Sequence, residues 1–308
     1  MNNLLAIEIG GTKTQLYAGT DRGEILERRR FAVRRDAGGA GIREDLASAL
    51  PEMIERWKPA AIGVGYGGPV DWRSGRIVKS HHVAGWDGFP FGEWLAERAG
   101  VPVFVENDAN VACLGEALQG AGRGCDPVFW VNIGSGVGGG LVSGGRIYHG
   151  ATPGEVEIGH VRLERDGTIV EDRCSGWGVD RAIRTEVATN PASALAQIVG
   201  AHPIGSEAKH LAPALAQGCA AAAKVLAHAT RELAFALSHA VHLLHPEVIV
   251  VGGGMSLLGE PLRAELAEHL PGFLMDAFKP GPRVALAALR EDAVPVGALA
   301  LAAQRLTA

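Results

Sequence analysis

From Leu4 to Ile9 the chain reads Leu-Leu-Ala-Ile-Glu-Ile and then meets Gly10-Gly11. A short apolar run closed by glycine predicts a buried strand and a turn. Thr14 to Ala18 predicts a second strand, and Asp21-Arg22-Gly23 the turn before a third. Ile42, Leu46, Leu50, Ile54 and Trp57 recur at helical spacing, with Pro51 as a point where that helix can kink. Ala60 to Gly68 and Val101 to Asn107 are apolar enough to be strands buried on both faces, with a helix in "FGEWLAERAG" between them. A helix over Ala109 to Leu118 leads into "VFWVNIGSGVGGGLVSGGRIYHG", which again reads strand, glycine turn, strand, hairpin turn at Ser143-Gly144-Gly145, strand. Beyond it, Trp177 to Val187, parts of Ala192 to His228, Glu232 to Leu244, Ser256 to Leu270 and Val296 to Leu306 are expected helices, and "EVIVVGGG" is a strand entering a glycine turn.

The same meander thus opens each half of the chain and is followed by alternating strands and helices. That order predicts two mixed α/β domains of one plan, with a cleft between them as the expected ligand site. The 308 residues can bury cores of that size, and no Pro/Gly/Ser-rich linker separates the halves, so close packing around a hinge is expected. Glycine is used 43 times, about twice the average frequency, and without a period, which excludes a collagen-like chain. A net charge of −5 without a long Lys/Arg run argues against nucleic acid as the main partner. The Leu4–Ile9 run enters a turn rather than a cleavage site, so a cytoplasmic protein is expected. Cys219 to Leu244 is the one long apolar stretch, but Lys224, His228, Arg231 and Glu232 interrupt it, which predicts a buried helix and no membrane span. The cysteines Cys113, Cys125, Cys174 and Cys219 form no C-x-x-C pair, which predicts reduced thiols.

Gly134, Gly136 and Gly139 match the dinucleotide spacing G-x-G-x-x-G, yet a strand follows them where that fingerprint needs a helix. A tight turn of small residues exposes several backbone N–H groups and so attracts anions. Gly10, Gly11 and Thr12 form one such turn, with Lys13 and Thr14 adding a charge and a hydroxyl; Gly134, Ser135, Gly136 and Gly138 form another. Each alone is better read as an ordinary glycine hairpin, whereas two facing nests together would clamp a polyphosphate. No Walker A sequence occurs. "VFVENDAN" puts Glu106, Asn107 and Asp108 at the carboxyl end of a buried strand, where open α/β sheets place ligands. Asp108 is the candidate base for phosphoryl transfer, accepting the proton of an attacking hydroxyl. Its alternative role is the N-cap of the next helix.

In this order, "IEIGGTK", "ENDANVACLGE", "VNIGSGVGGGLVSGGRIYHG", "GEVEIGH" and "PEVIVVGGG" span nearly the whole chain and resemble the ROK family (repressors, open reading frames, kinases) of the actin-like ATPase superfamily. The resemblance implies an α/β fold of two actin-like (ribonuclease H-like) domains, each a mixed sheet flanked by helices, with a cleft between them. Residues 1–112 plus 292–308 would form one and 113–291 the other. It implies an ATP-dependent, glucokinase-like sugar kinase that phosphorylates O6 of a hexose or hexose derivative, with Asp108 as general base, and a homodimer. Gly68, Asn107, Glu157 and His160 would contact the sugar. Gly67, Asp71 and Trp86 would line its side of the site, although Trp86 equally suits the core. Gly10, Gly11, Thr12, Lys13, Gly134, Ser135 and Gly136 would hold the phosphates, Gly252, Gly253 and Gly254 would lie at the adenosine, and Glu8 would face Mg²⁺ through water.

The family pattern breaks at four places. ROK kinases carry G-H followed by C-x-C-G-x-x-G-C-x-E, whose histidine and three cysteines bind structural zinc; aligned on Cys174 and Gly178, this chain has Asp172 and Val179 at the other two cysteine positions. Only His160 and Cys174 remain, so no zinc is expected, with Asp172 a weak substitute ligand. Arg181 replaces a sugar-binding glutamate. It either selects an acidic or differently substituted sugar or points to solvent, with Asp180 taking the role. His82 stands where asparagine is usual, and Glu8 where the superfamily has aspartate. These changes leave open a catalytically weakened sugar- or nucleotide-binding protein. A sugar-responsive repressor would need an N-terminal helix-turn-helix, for which a strand starting at Leu4 leaves no room.

Overall fold

The computed structural model describes residues 2–80, 83–152, 154, 156–200, 202 and 204–307, so His82 lies outside the described residues. The elements run β1 (Asn3–Ile9), β2 (Lys13–Thr20), β3 (Ile25–Ala32), α1 (Gly38–Trp57), β4 (Ile62–Tyr66), β5 (Val70–Asp71), β6 (Arg76–Ile77), α2 (Phe91–Ala99), β7 (Val103–Asn107) and α3 (Asp108–Gln119). Then come β8 (Val128–Ile133), β9 (Val137–Ser143), β10 (Arg146–Ile147), α4 (Val170–Cys174), α5 (Gly176–Thr189), α6 (Ala194–Val199), α7 (Leu211–Ala216) and α8 (Ala220–Leu244). The chain continues through β11 (Val248–Gly252), α9 (Glu260–His269), β12 (Arg283–Leu286) and α10 (Ala293–Leu306). It divides into two compact units, Met1–Gly124 with Gly140–Val156 and Ala288–Ala308, and Cys125–Gly139 with Glu157–Ala287.

The fold is mixed α/β, and its two five-stranded sheets repeat one topology, β3-β2-β1-β4-β7 and β10-β9-β8-β11-β12. In the first sheet an antiparallel meander is continued by β4 and β7, both parallel to β1. β1 and β4 are buried almost throughout, as their unbroken apolar runs require, while edge strand β3 alternates half-buried and exposed positions. α1 runs unbroken across Pro51. Trp86 is a core residue, 0% exposed, packed edge-on against Tyr66, Phe89 and Phe91, which rules out its direct use on a sugar surface. Gly39 admits it: a Cβ there would stand 2.9 Å from the Trp86 ring.

α10 is fastened to the first unit at close range. A Cβ at Gly63 would collide with the Ala298 carbonyl, and one at Gly297 with the Val111 carbonyl, so only glycine permits these approaches. Buried Glu116 of α3 accepts from the Ala288 and Leu289 amides at 3.1 and 2.8 Å and from Ala121 N at 2.7 Å.

In the second unit β8, β11 and β12 run parallel. α8 is one helix of 25 residues rather than two segments. Its polar residues Lys224, His228, Arg231 and Glu232 recur at i, i+4, i+7 and i+8, so they share one face and leave an apolar stripe intact. The helix expected over Ser256–Leu270 is instead split: Gly259 takes φ 71°, and α9 starts afresh at Glu260 with Pro261 in its first turn. No described helix is long and apolar enough to cross a membrane.

Candidate active site

Register assembles the first unit's catalytic candidates. Ile9, Tyr66 and Asn107 align across β1, β4 and β7, so the next residues, Gly10, Gly67 and Asp108, leave the sheet together at its carboxyl edge. A Cβ at Gly67 would stand 3.3 Å from the Ile9 carbonyl and 3.4 Å from Asp108 Oδ2; glycine keeps that floor open. Asn107, not Asp108, caps α3: its Oδ1 accepts from the Ala109 and Asn110 amides at 2.9 and 3.2 Å. Asn107 Nδ2 donates to the Gly68 carbonyl at 3.2 Å, which leaves its second hydrogen for a ligand. Asp108 occupies the first helical turn, where the helix dipole favours its charge. Burial pushes the nearby Tyr66 phenol up, with the Asp87 and Asp108 charges adding to the rise. Asp71 accepts from Ser74 Oγ at 2.7 Å and from the Arg73 amide, which shapes the β5–β6 turn.

The first glycine hairpin closes through Gly10 N donating to the Lys13 carbonyl at 3.0 Å. The Gly11 and Thr12 amides make no hydrogen bond to the described residues and constitute an open nest. Glu8 Oε2 accepts from Gln15 Nε2 at 2.8 Å and Tyr17 OH at 3.3 Å, and Glu8 Oε1 lies 3.4 Å from Lys13 Nζ. Burial, then the Glu8 charge, push the Tyr17 phenol far up, so it stays a donor. Magnesium takes hard oxygen donors and keeps several waters. Glu8 Oε1, ion-paired with Lys13 but accepting no hydrogen bond among the described residues, fits that demand.

Sequence reasoning missed a second layer. Glu106, 1% exposed, accepts from Asn107 N at 2.9 Å and Asn110 Nδ2 at 3.1 Å through Oε1, and its Oε2 lies 2.5 Å from His149 Nε2. His149 stacks on Trp72 at 4.2 Å, and Arg73 and Arg305 lie over the same indole. A lone histidine beyond a hairpin carries no local signal for such a pairing.

In the second unit the glycine hairpin is held from both sides: Gly134 N donates to the Gly136 carbonyl at 2.9 Å, and Gly176 N to the Gly134 carbonyl at 2.8 Å. Glu171 Oε2 accepts from Val137 N at 2.9 Å. The Ser135 and Gly136 amides make no hydrogen bond to the described residues. Gly134 and Ser135 border a cavity of ≈ 500 Å³ whose apolar wall includes Trp177, Met255 and Leu257, with Asp180 and Lys209 as its charged groups. Trp177 is 52% exposed, while Asp180 is 4% exposed and accepts from Ala208 N. Gly254 lines this cavity. Gly252 and Gly253 are not among its lining residues; they press on the Trp130 ring and the Ile133 carbonyl.

Glu157 precedes and His160 ends a 3₁₀ turn, both exposed, with Gly159 between them pressed on the Val137 carbonyl. Arg181 donates to the Asp172 carbonyl at 2.6 Å, bracing α5 on α4. Asp172 Oδ2 accepts from Ile169 N, and the buried Cys174 thiol donates to the Ala229 carbonyl at 3.6 Å. Burial pushes that thiol up, which disfavours the thiolate a metal needs. This segment does not fit zinc, and no group of three or more His, Cys, Asp or Glu among the described residues is arranged to hold a metal ion.

The model of the ROK family matches residues 4–305. A glucokinase of Halalkalibacterium halodurans is 31% identical over 307 residues, covering 95% of this chain and 92% of that protein. A glucokinase of Thermotoga maritima is 30% identical over 315 residues, with 98% of each chain covered. Among solved structures, a ROK family glucokinase from Streptomyces griseus in complex with glucose and AMPPNP superimposes with a TM-score of 0.84 at 29% identity, covering 98% of this chain and 99% of that one.

Proposed function

The chain belongs to the ROK family, and from that premise we propose that it is an ATP-dependent sugar kinase, transferring the γ-phosphate to O6 of a hexose with Asp108 as general base. The observation that carries this reading is the register at the carboxyl edge of the first sheet, which brings Asp108 beside Gly10 and the open floor at Gly67. In the reaction Asp108 accepts the proton of the sugar hydroxyl as its oxygen forms a bond to the γ-phosphorus, the bond to the bridging oxygen breaks, and ADP leaves. Asn107, Gly68, Glu157 and His160 orient the sugar. The Gly11, Thr12, Ser135 and Gly136 amides, with Gly10, Gly134 and Lys13, receive phosphate oxygens. The ≈ 500 Å³ cavity takes the nucleoside, with Trp177 as the platform for the base and Gly254 at its wall. Magnesium, when bound, neutralises phosphate charge; Glu8 is the acid that would hold it through water.

Two observations favour a neutral hexose. Arg181 is tied to the Asp172 carbonyl, which argues against its recruitment as an acid-selecting group. Asp180 lines the cavity that takes the nucleoside, where it accepts from Ala208 N.

The test is ADP release from Mg-ATP with neutral, acetylated and acidic hexoses, beside Asp108→Asn. A rate dependent on one neutral hexose, falling about a thousandfold in the variant, is expected. ATP binding without any sugar-dependent ADP release would replace this reading with that of a binding protein.

A further inference from the structure

Glutamate at position 8 puts the carboxylate one methylene farther from the strand than aspartate would, with one more torsion to immobilise. The neighbouring strand supplies what immobilises it. Lys13, Gln15 and Tyr17 are alternate residues of β2 and therefore share one face of the sheet. Gln15 is directly opposite Glu8 in the antiparallel ladder, and Tyr17, opposite Ala6, is the diagonal neighbour within reach of an aromatic side chain. All three converge on the one carboxylate. Gln15 and Tyr17, 1% and 0% exposed, both donate to Oε2, so that oxygen is fixed and turned away from ligands. Oε1 is left toward Lys13, whose Nζ lies 3.4 Å away at the first residue of β2 after the turn. Arg28 lies over the Tyr17 ring at 5.1 Å and steadies it in turn.

We propose that Gln15 and Tyr17 are positioning residues that hold Glu8 with Oε1 presented to a magnesium-bound water, making the acid of this hairpin a Glu8–Gln15–Tyr17 unit; the inference rests on the kinase reading above. The longer acid and its two donors work together. Restoring aspartate alone would withdraw the carboxylate from both donors and lower magnesium use instead of improving it.

Calorimetric titration of the full chain with ATP, with and without Mg²⁺, tests this independently of turnover. In the unmodified protein Mg²⁺ tightens ATP binding. Tyr17→Phe and Gln15→Leu keep the metal-free ATP affinity and lose about tenfold of the magnesium-dependent gain, the effect expected when a partner of a metal-directed acid is removed. Glu8→Asp loses a similar amount, and the Mg²⁺ concentration for half-maximal turnover rises in all three while KM for the sugar stays put. Tyr17→Phe is the decisive variant, because it keeps the ring's packing and deletes only the hydroxyl. If Tyr17→Phe and Gln15→Leu retain the full gain while Glu8→Gln abolishes it, Glu8 acts unaided and the inference is overturned. If Glu8→Asp exceeds the unmodified protein, it is likewise overturned. Absence of any magnesium-dependent ATP binding in the unmodified protein is a different result: it sinks the kinase reading and this inference with it.

Discussion

Counted from its first turn glycine, the first hairpin carries Glu8 two positions before and Lys13, Gln15 and Tyr17 three, five and seven positions after; at the same offsets from Gly134 the second carries Asn132, Val137, Gly139 and Leu141. Both hairpins leave two turn amides without hydrogen-bond partners among the described residues, Gly11 and Thr12 in one and Ser135 and Gly136 in the other. Backbone geometry is therefore duplicated, but charge is not. The first hairpin brings its own cation, its own acid and the donors that fix the acid. The second is neutral on both strands, and Glu171, a charged side chain bonded to it, comes from α4 and is spent on the Val137 amide. A repeated backbone device can thus be specialised by four side chains on one strand pair.

The largest separation between the hairpins should come from their side chains. Lys13→Met is expected to lower kcat/KM for ATP by roughly 10- to 100-fold, the worth of a charge-assisted hydrogen bond to phosphate, whereas Ser135→Ala should cost only about threefold. Equal losses in steady-state kinetics would break the distinction. Next, Gly136→Ala drives a methyl group into Glu171 Oε2 and should cost about 1–3 kcal/mol in chemical denaturation. Adding Glu171→Ala should recover part of it; a strictly additive double variant would mean that Glu171 is not the obstacle. The smallest effect falls on the nucleoside side: Trp177→Ala should raise KM for ATP about fivefold by removing a stacking surface, and leave KM for the sugar unchanged. ATP should quench tryptophan emission in the parent protein and not in Trp177→Phe.

Much of this arrangement is legible in the sequence because it is local. Glycine turns between apolar runs declare both hairpins, and the run ending in Glu106-Asn107-Asp108 declares the strand end that presents Asp108. What stays hidden depends on geometry that the sequence does not encode locally. Asn107 and Asp108 are both good caps, and only the extended backbone of Asn107, φ −63° and ψ 141°, decides between them. Trp86 reads as a site residue or a core residue until its ring is seen enclosed on all sides. Strand β12 has only four residues and too little alternation to stand out, and parallel pairing with β11 makes it a strand. The Glu106–His149 pair and the cavity at Trp177 join residues far apart in the chain, which no periodicity reveals.

The Glu116 anchor has a consequence for the order in which the molecule is made. Residues 288–308 belong to the first unit, yet they leave the ribosome after every residue of the second. The second unit can therefore be complete while the first still lacks the helix that rests on Gly63 and Gly115 and the amides that satisfy Glu116. For that interval the Glu116 carboxylate lacks its Ala288 and Leu289 donors, and the nascent first unit waits for residues 288–308 to arrive.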